Sequence, residues 1–240
     1  YGIFYFLTKP IFLVLTFINS FTHNFGFSII LLTVLIKFLL YPIAKKSYVS
    51  MAKMKMVAPE IEHIKKITDD KLERNRRIMD VYKKNAVNPL AGCLPILLQI
   101  PVFFALYKVL FISIEMKGAP FIWWMQDLSA KDPTSFVNLF GLLPFSVPVF
   151  LQIGILPILL GITTYLQQRL SPKNMGDPTQ AMILKTMPFI LIFVFASFPS
   201  GIVLYWIVNN LLSITQQLYV EKIIIPKAVI TFQKRLKEGK

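Results

Sequence analysis

FGFSIILLTVLIKFLLYPIA, residues 25–44, is a run of twenty residues that carries one charge, Lys37. A helix needs about 20 mainly apolar residues to cross the hydrocarbon core of a bilayer, so this run reads as a transmembrane span. Lys37 is its sharpest feature. A lysine at the bilayer centre costs roughly 2.5–3.5 kcal/mol on insertion scales, so it needs water or a partner. Two readings of it stay open. Lys37 lies five residues before Pro42 and could snorkel to the nearby interface; alternatively, it places a positive charge in a water-filled cavity. No Asp or Glu falls within any apolar span of the chain, so an intramembrane ion pair is not available.

Outward from this run lie four more apolar stretches. Residues 92–111 (GCLPILLQIPVFFALYKVLF) form the second span. The stretch 136–168 is too long for one untilted helix. Pro144 and Pro148 break its first half, and 151–168 suffices alone, so 136–150 is expected at the interface or as a short re-entrant piece. Residues 183–198 and 201–219 are separated by Phe198-Pro199-Ser200-Gly201, a helix-breaking turn that makes them a helical hairpin. At the N-terminus, Lys9-Pro10 divides the chain and leaves about a dozen apolar residues before Asn19, which predicts an interfacial amphipathic helix over 1–24. The expected fold class is an all-α integral membrane protein. It has a five-transmembrane-helix core (25–44, then four helices within 89–219), a cytoplasmic helical hairpin over 45–88, an outer loop at 112–135 and a basic tail at 220–240.

Composition agrees with a membrane protein. The chain is 55% hydrophobic and 16% charged, against about 25% charged in an average soluble domain, and its mean hydropathy is +0.60. The net charge of +14 then orients the spans rather than pointing to DNA. Residues 45–88 hold 12 of the 26 Lys and Arg, 169–185 hold three and 220–240 hold six, whereas 112–135 hold only Lys117 and Lys131. The positive-inside rule puts the first three segments in the cytoplasm, with the N-terminus outside and the C-terminus inside. Trp123 and Trp124 then fall in the outer loop, where an aromatic belt sits. The chain starts at Tyr1 rather than Met, so it is expected to be a fragment with further sequence upstream.

The segment 45–88 differs in kind. Met51, Met54, Ile61 and Ile64 recur at helical spacing, Thr68-Asp69-Asp70 reads as a turn and cap, and Leu72, Ile78, Met79 and Tyr82 continue an apolar stripe. Two antiparallel helices are predicted, the first kinked or interrupted at Pro59. Met51, Met54, Met56 and Met79 suit a surface that receives varied apolar helices; equally, they could be the seam of the hairpin itself.

Polar residues fall on matching faces of the spans. Thr33 lies one turn before Lys37. Trp206, Asn209, Asn210, Ser213, Gln216 and Gln217 form a stripe along the last span, Gln99 sits mid-span, and Thr163, Thr164 and Gln167 share a face of another. Any one of these alone is explained by an interhelical hydrogen bond worth about 0.6 kcal/mol. Several stripes together with a buried cation point to a hydrated groove. The sequence has no G-x-x-x-x-G-K-[ST], G-x-S-x-G or H-E-x-x-H, a single Cys93, and two histidines 40 positions apart. Enzymatic chemistry, a metal centre and a cofactor are therefore not expected. A transporter or channel subunit for a small anion, with Lys37 as its binding site, remains a rival to the groove reading.

The segments GFSIILLTVLIKFLLYPIAKKSYVSMAKM (26–54), NPLAGCLPILLQIPVFFALYKVL (88–110), APFIWWMQDLSAKDP (119–133) and FPSGIVLYWIVNN (198–210) resemble the YidC/Oxa/Alb family of membrane-protein insertases, in its bacterial branch. The resemblance covers most of the chain in the family's order. It implies a five-helix core in the bacterial inner membrane that moves nascent membrane proteins from cytoplasm into the bilayer, alone or with the Sec translocon. The family's positive groove residue matches Lys37, where most members have Arg. Lys keeps the charge and loses the bidentate fork. Groove-lining polar positions match Thr33, Gln99, Gln167 or Gln168, and Trp206, with Asn209 beside them in the stripe, and Phe103 matches the hydrophobic slide. The basic tail (Lys234, Arg235, Lys237) would meet the ribosome or anionic lipid. The apolar 136–150 segment departs from the family pattern.

Overall fold

The computed structural model describes residues 5–85, 87–88, 94–139, 143, 152–170, 178–224 and 226. Among them the regular elements are helices: α1 (Tyr5–Thr22), α2 (Phe25–Ile67), α3 (Lys71–Lys84), α4 (Leu94–Ile112), α5 (Ile155–Leu170), α6 (Pro178–Phe195) and α7 (Ser200–Tyr219). A 3-10 turn at Ile114–Met116 and a π-helical turn at Val220–Ile224 complete the set. Most of the 136–150 segment and the tail beyond Pro226 lie outside the described residues.

α2 is one helix of 43 residues, about 65 Å long at 1.5 Å per residue and twice the thickness of a bilayer core. Asn24 caps its start, the side-chain oxygen accepting from the amides of Gly26 (2.9 Å) and Phe27 (3.2 Å). The first span and the first hairpin helix are therefore continuous, and the interruption expected at Pro59 does not occur. Val57 and Ile61 on either side of Pro59 are both buried in a seam with α3, so apolar packing holds the helix across it. The division expected at Lys9-Pro10 is absent too. α1 runs through Pro10, with Thr8, Ile11 and Leu15 buried against α2 and α4 and Phe6, Phe17 and Phe21 facing out. By length and composition α1, like α2, is long and apolar enough to cross a membrane.

The hairpin turns at Thr68-Asp69-Asp70, where the Asp70 side chain accepts from the Leu72 amide and caps α3 (3.0 Å). Its seam is Met54, Val57 and Ile61 against Ile78, Val81, Tyr82 and Val87. Leu72 and Met79 are not part of the seam: Leu72 is 83% exposed and Met79 47%, because only the 78–81–82 face of α3 turns toward α2. Ile61→Ala is expected to cost about 2–5 kcal/mol of hairpin stability. It should be read as faster amide exchange over α3, with exchange in α7 unchanged.

In the remaining bundle α7 is central, packed against α5, α2 and α4, with α6 against α5. The core joins Leu15, Ile29, Leu106, Leu110, Leu160, Ile202 and Val203 from five helices. Gly201 lets these helices close up, since a Cβ there would lie 3.1 Å from Leu110 and 3.2 Å from the Leu128 carbonyl. Outward faces carry Phe38 (75% exposed), Leu39, Phe111, Phe189 and Phe193. So broad an apolar exterior suits lipid rather than water.

The loop after α4 is folded onto one end of the bundle. Met116, Met125 and Leu128 are buried in the core. Ala130 O accepts from the amide (2.7 Å) and hydroxyl (2.9 Å) of Ser200, Leu128 O accepts from the Gly201 amide (2.9 Å), and Phe121 O accepts from Asn24 Nδ2 (3.0 Å). Asp132, buried, accepts from the Leu156 amide (2.8 Å) and from the Thr134 amide and hydroxyl, while Thr134 Oγ1 accepts from the Ile155 amide (2.9 Å). The loop thereby latches the starts of α2, α5 and α7. Within it, burial pushes the Asp127 carboxyl up. The Ser129 hydroxyl (2.6 Å) and amide (2.8 Å), with the amides of Gly118 and Ala130, outweigh that and hold it below the usual carboxylate range. A depressed folded pKa gives stability that is present above the unfolded value of about 3.9 and lost as pH falls through the folded one. Asp127→Asn is therefore expected to flatten the acid side of the loop's pH–stability curve. Unchanged acid sensitivity of Trp fluorescence would contradict this.

A lysine-bearing cleft between three helices

Lys37, Leu40, Ile43, Ala44 and Tyr48 of α2, Leu94, Pro95, Leu98 and Gln99 of α4 and Gln216 of α7 line one open cleft. α2 supplies its wall in steps of three and four residues, one face of a continuous helix. The Lys37 ammonium donates to Ser213 Oγ (2.7 Å), whose hydroxyl donates in turn to the Asn209 carbonyl one turn back (2.8 Å). Gln216 Nε2 donates to the Lys37 carbonyl (3.3 Å), and Tyr48 donates weakly to the Ser213 carbonyl (3.5 Å). Among the described residues no carboxylate pairs with Lys37. Gln216 Oε1 is shielded from solvent and has no partner. Lys37 therefore packs across to Ser213 of α7.

The predicted stripe on α7 divides by face. Ser213 and Gln216 turn toward α2. Asn210 Nδ2 bonds Thr163 Oγ1 (3.2 Å) and Thr164 Oγ1 (3.0 Å), and Gln217 Nε2 donates to the Leu170 carbonyl (2.8 Å), so these two bind α7 to α5. Of the expected groove residues, Lys37 and Gln99 share the cleft. Gln99, 8% exposed, also donates to the buried Tyr205 hydroxyl. Thr33 does not reach the cleft. It is buried, and its hydroxyl is spent on the Ile29 carbonyl of its own helix (2.6 Å). Asn209 is buried and serves through its carbonyl. Gln167 is half-buried on α5, one turn beyond Thr163. Trp206 joins an aromatic cluster instead, 5.3 Å from Phe103 and 5.2 Å from Phe195, with Phe198 and Tyr107 around Phe103.

In the hairpin, Met54 belongs to the seam, and Met51 is buried with Tyr48 and Val220. Both are buried, Met54 holding the hairpin together and Met51 packing α2 against the turn that follows α7. Met56 and Met79 are exposed. Tyr205 and Tyr48 carry no signal in the sequence as partners: Tyr205 stands in an apolar run and Tyr48 in the charged segment 45–88. The Lys55–Glu221 ion pair (2.6 Å) tying the hairpin to the end of α7 gave no local signal either, since its members are 166 positions apart.

The 60Kd inner membrane protein family matches residues 17–227. This chain belongs to that family. Similar chains include the membrane protein insertase YidC of Rickettsia africae (strain ESF-5), 56% identical over 223 residues. That of Brucella suis biovar 1 (strain 1330) is 55% identical over 223 residues. Both alignments cover 92% of this chain, but only 40% and 36% of those relatives, so the chain spans about two-fifths of their length. Among solved structures, an active YidC insertase crystal structure with the first transmembrane domain resolved superposes with a TM-score of 0.64. It is 24% identical, over 90% of this chain and 46% of that one, and the likeness is one of fold. The all-α inner-membrane architecture thus agrees between the family match and the bundle described above.

Proposed function

We propose that this chain is the inserting core of a membrane-protein insertase that moves client helices from cytoplasm into the bilayer. The observation that carries the reading is Lys37, a cation without a carboxylate partner among the described residues, held in a cleft of an apolar-surfaced bundle. In mechanism, a short polar or acidic client segment enters the cleft, attracted by Lys37 and solvated by Gln99 and Gln216. Its apolar helix meanwhile packs along the aromatic face of Phe103 and Trp206 and moves into lipid. Burial of apolar surface at about 25 cal/mol per Å² supplies the drive, so no nucleotide or cofactor is needed. The folded loop at the other end, filled by Met116 and Leu128, favours a cleft closed on the outside. That counts against the small-anion transporter, which needs a path through.

The α2 wall of the cleft runs from Lys37 to Tyr48, toward the hairpin, and the positive-inside charge distribution favours the hairpin end and the C-terminus in the cytoplasm. Clients are nascent membrane proteins delivered by the ribosome, with the Sec translocon as a second partner. On the hairpin, Met56 and Met79 are the methionines available to receive them. The lining polar positions are Lys37, Gln99 and Gln216.

The test is insertion of a short acidic-tailed membrane protein into liposomes holding only the purified full-length protein, read by protease protection. Protection well above empty liposomes is expected. Protection no better than empty liposomes would overturn the inserting role and leave only assistance to a translocon.

A further inference from the structure

We propose that Ser213 is the positioning residue that makes Lys37 usable, by holding its ammonium inside the cleft. Lysine is a long, flexible side chain with a strongly hydrated head, and left alone it extends toward water. Here the aqueous interface is near, since Lys45 and Lys46 follow two helical turns on. Ser213 supplies the opposing contact. Its Oγ accepts from the ammonium at 2.7 Å and donates its own hydrogen to the Asn209 carbonyl at 2.8 Å, so one hydroxyl fixes both its rotamer and the cation. Gln216 fastens the backbone at the same height through the Lys37 carbonyl. An ammonium has three donors. With one on Ser213, the remaining two face a cleft lined by Gln99 and Gln216.

A serine beside a lysine also has the elements of a nucleophile and its base, but this pair is not arranged that way. The hydroxyl hydrogen points at a helix carbonyl rather than at Lys37, and Ser213 is 3% exposed in mid-helix. The geometry places a small hydroxyl on the turn of α7 that faces Lys37. Ser213 differs from the other polar groups of α7 in this respect, because Asn210 and Gln217 face α5 and are already engaged there.

The test compares wild type, Ser213→Ala and Ser213→Thr in the full-length protein. A membrane-impermeant amine-reactive ester is added from the cytoplasmic face of vesicles, and modification of the Lys37-containing peptide is timed by mass spectrometry. Loss of a hydrogen bond to a charged group predicts a labelling rate about tenfold higher for Ser213→Ala, with Ser213→Thr close to wild type. Thermal stability of each variant in detergent is measured alongside. Equal labelling of Ser213→Ala and wild type would overturn the proposal. Labelling of Ser213→Thr as fast as Ser213→Ala would also overturn it, since shape rather than the hydroxyl would then be responsible. The proposal rests on the insertase reading only for its activity arm, in which Ser213→Ala slows insertion of an acidic-tailed client and leaves a neutral-tailed one unchanged. Should Lys37→Gln insert the acidic client normally, that reading fails while the labelling result still decides the role of Ser213.

Discussion

Lys37→Gln is expected to slow insertion of an acidic-tailed client by about tenfold to a hundredfold. A carboxylate about 4 Å from an ammonium gains roughly 4 kcal/mol at an effective dielectric near 20. Even half of that, kept at the barrier, is worth more than a factor of ten in rate, at about 1.4 kcal/mol per tenfold. Lys37→Arg keeps the charge and should retain most of the activity, although Ser213 is placed for an ammonium rather than a planar fork. A neutral-tailed client should be indifferent to both changes. Removing a charge from the spanning segment lowers its insertion cost, so Lys37→Gln should be at least as heat-stable as wild type, which separates lost function from lost fold. Equal insertion of the acidic client by all three proteins would make Lys37 a bystander and leave the aromatic face to do the work.

Asp132→Ala is expected to be the most destabilising single change outside the core, at about 3 kcal/mol. The buried carboxylate accepts from the Leu156 amide and from both donors of Thr134. Loss of a helix cap costs about 1 kcal/mol, and a buried donor left without a partner about 1–3 more. Gly154→Ala strikes the same contact from the other side, because its Cβ would lie 2.4 Å from Asp132 Cγ. Both variants should lose amide protection at Ile155 and Leu156 and expose loop 119–135 to protease. Wild-type protection in Asp132→Ala would show that the latch on α5 is redundant.

These two residues also mark what the sequence could disclose. Lys37 was legible because a charge in an apolar run violates a strong rule, and the segmentation into helices followed from runs of twenty residues and from the Pro199 break. Asp132 was not legible. An aspartate in a polar loop looks ordinary until the fold carries it to the start of a helix 24 positions away. The uninterrupted run of α2 at Pro59 is hidden from the sequence for a related reason: intrinsic propensity disfavours proline, and packing of Val57 and Ile61 against α3 overrides it. The polar residues of α7 look like one stripe in the sequence, whereas positions one residue apart differ by about 100° around a helix, so Asn209 and Asn210 serve different neighbours. Thr33 shares a face with Lys37 but sits a turn deeper, where its hydroxyl turns back on its own helix.

The single 43-residue helix has a mechanical side. Its N-terminal end is pinned where Asn24 grips the loop at Phe121, and its far end carries the hairpin turn. Measured from that pin, Lys37 stands about 20 Å along the rod and Ile67 about 65 Å, at 1.5 Å per residue. A lever of these proportions gears motion down roughly threefold. A displacement of the hairpin turn about that pin moves the ammonium only about a third as far, so the cleft keeps its geometry while the far end swings.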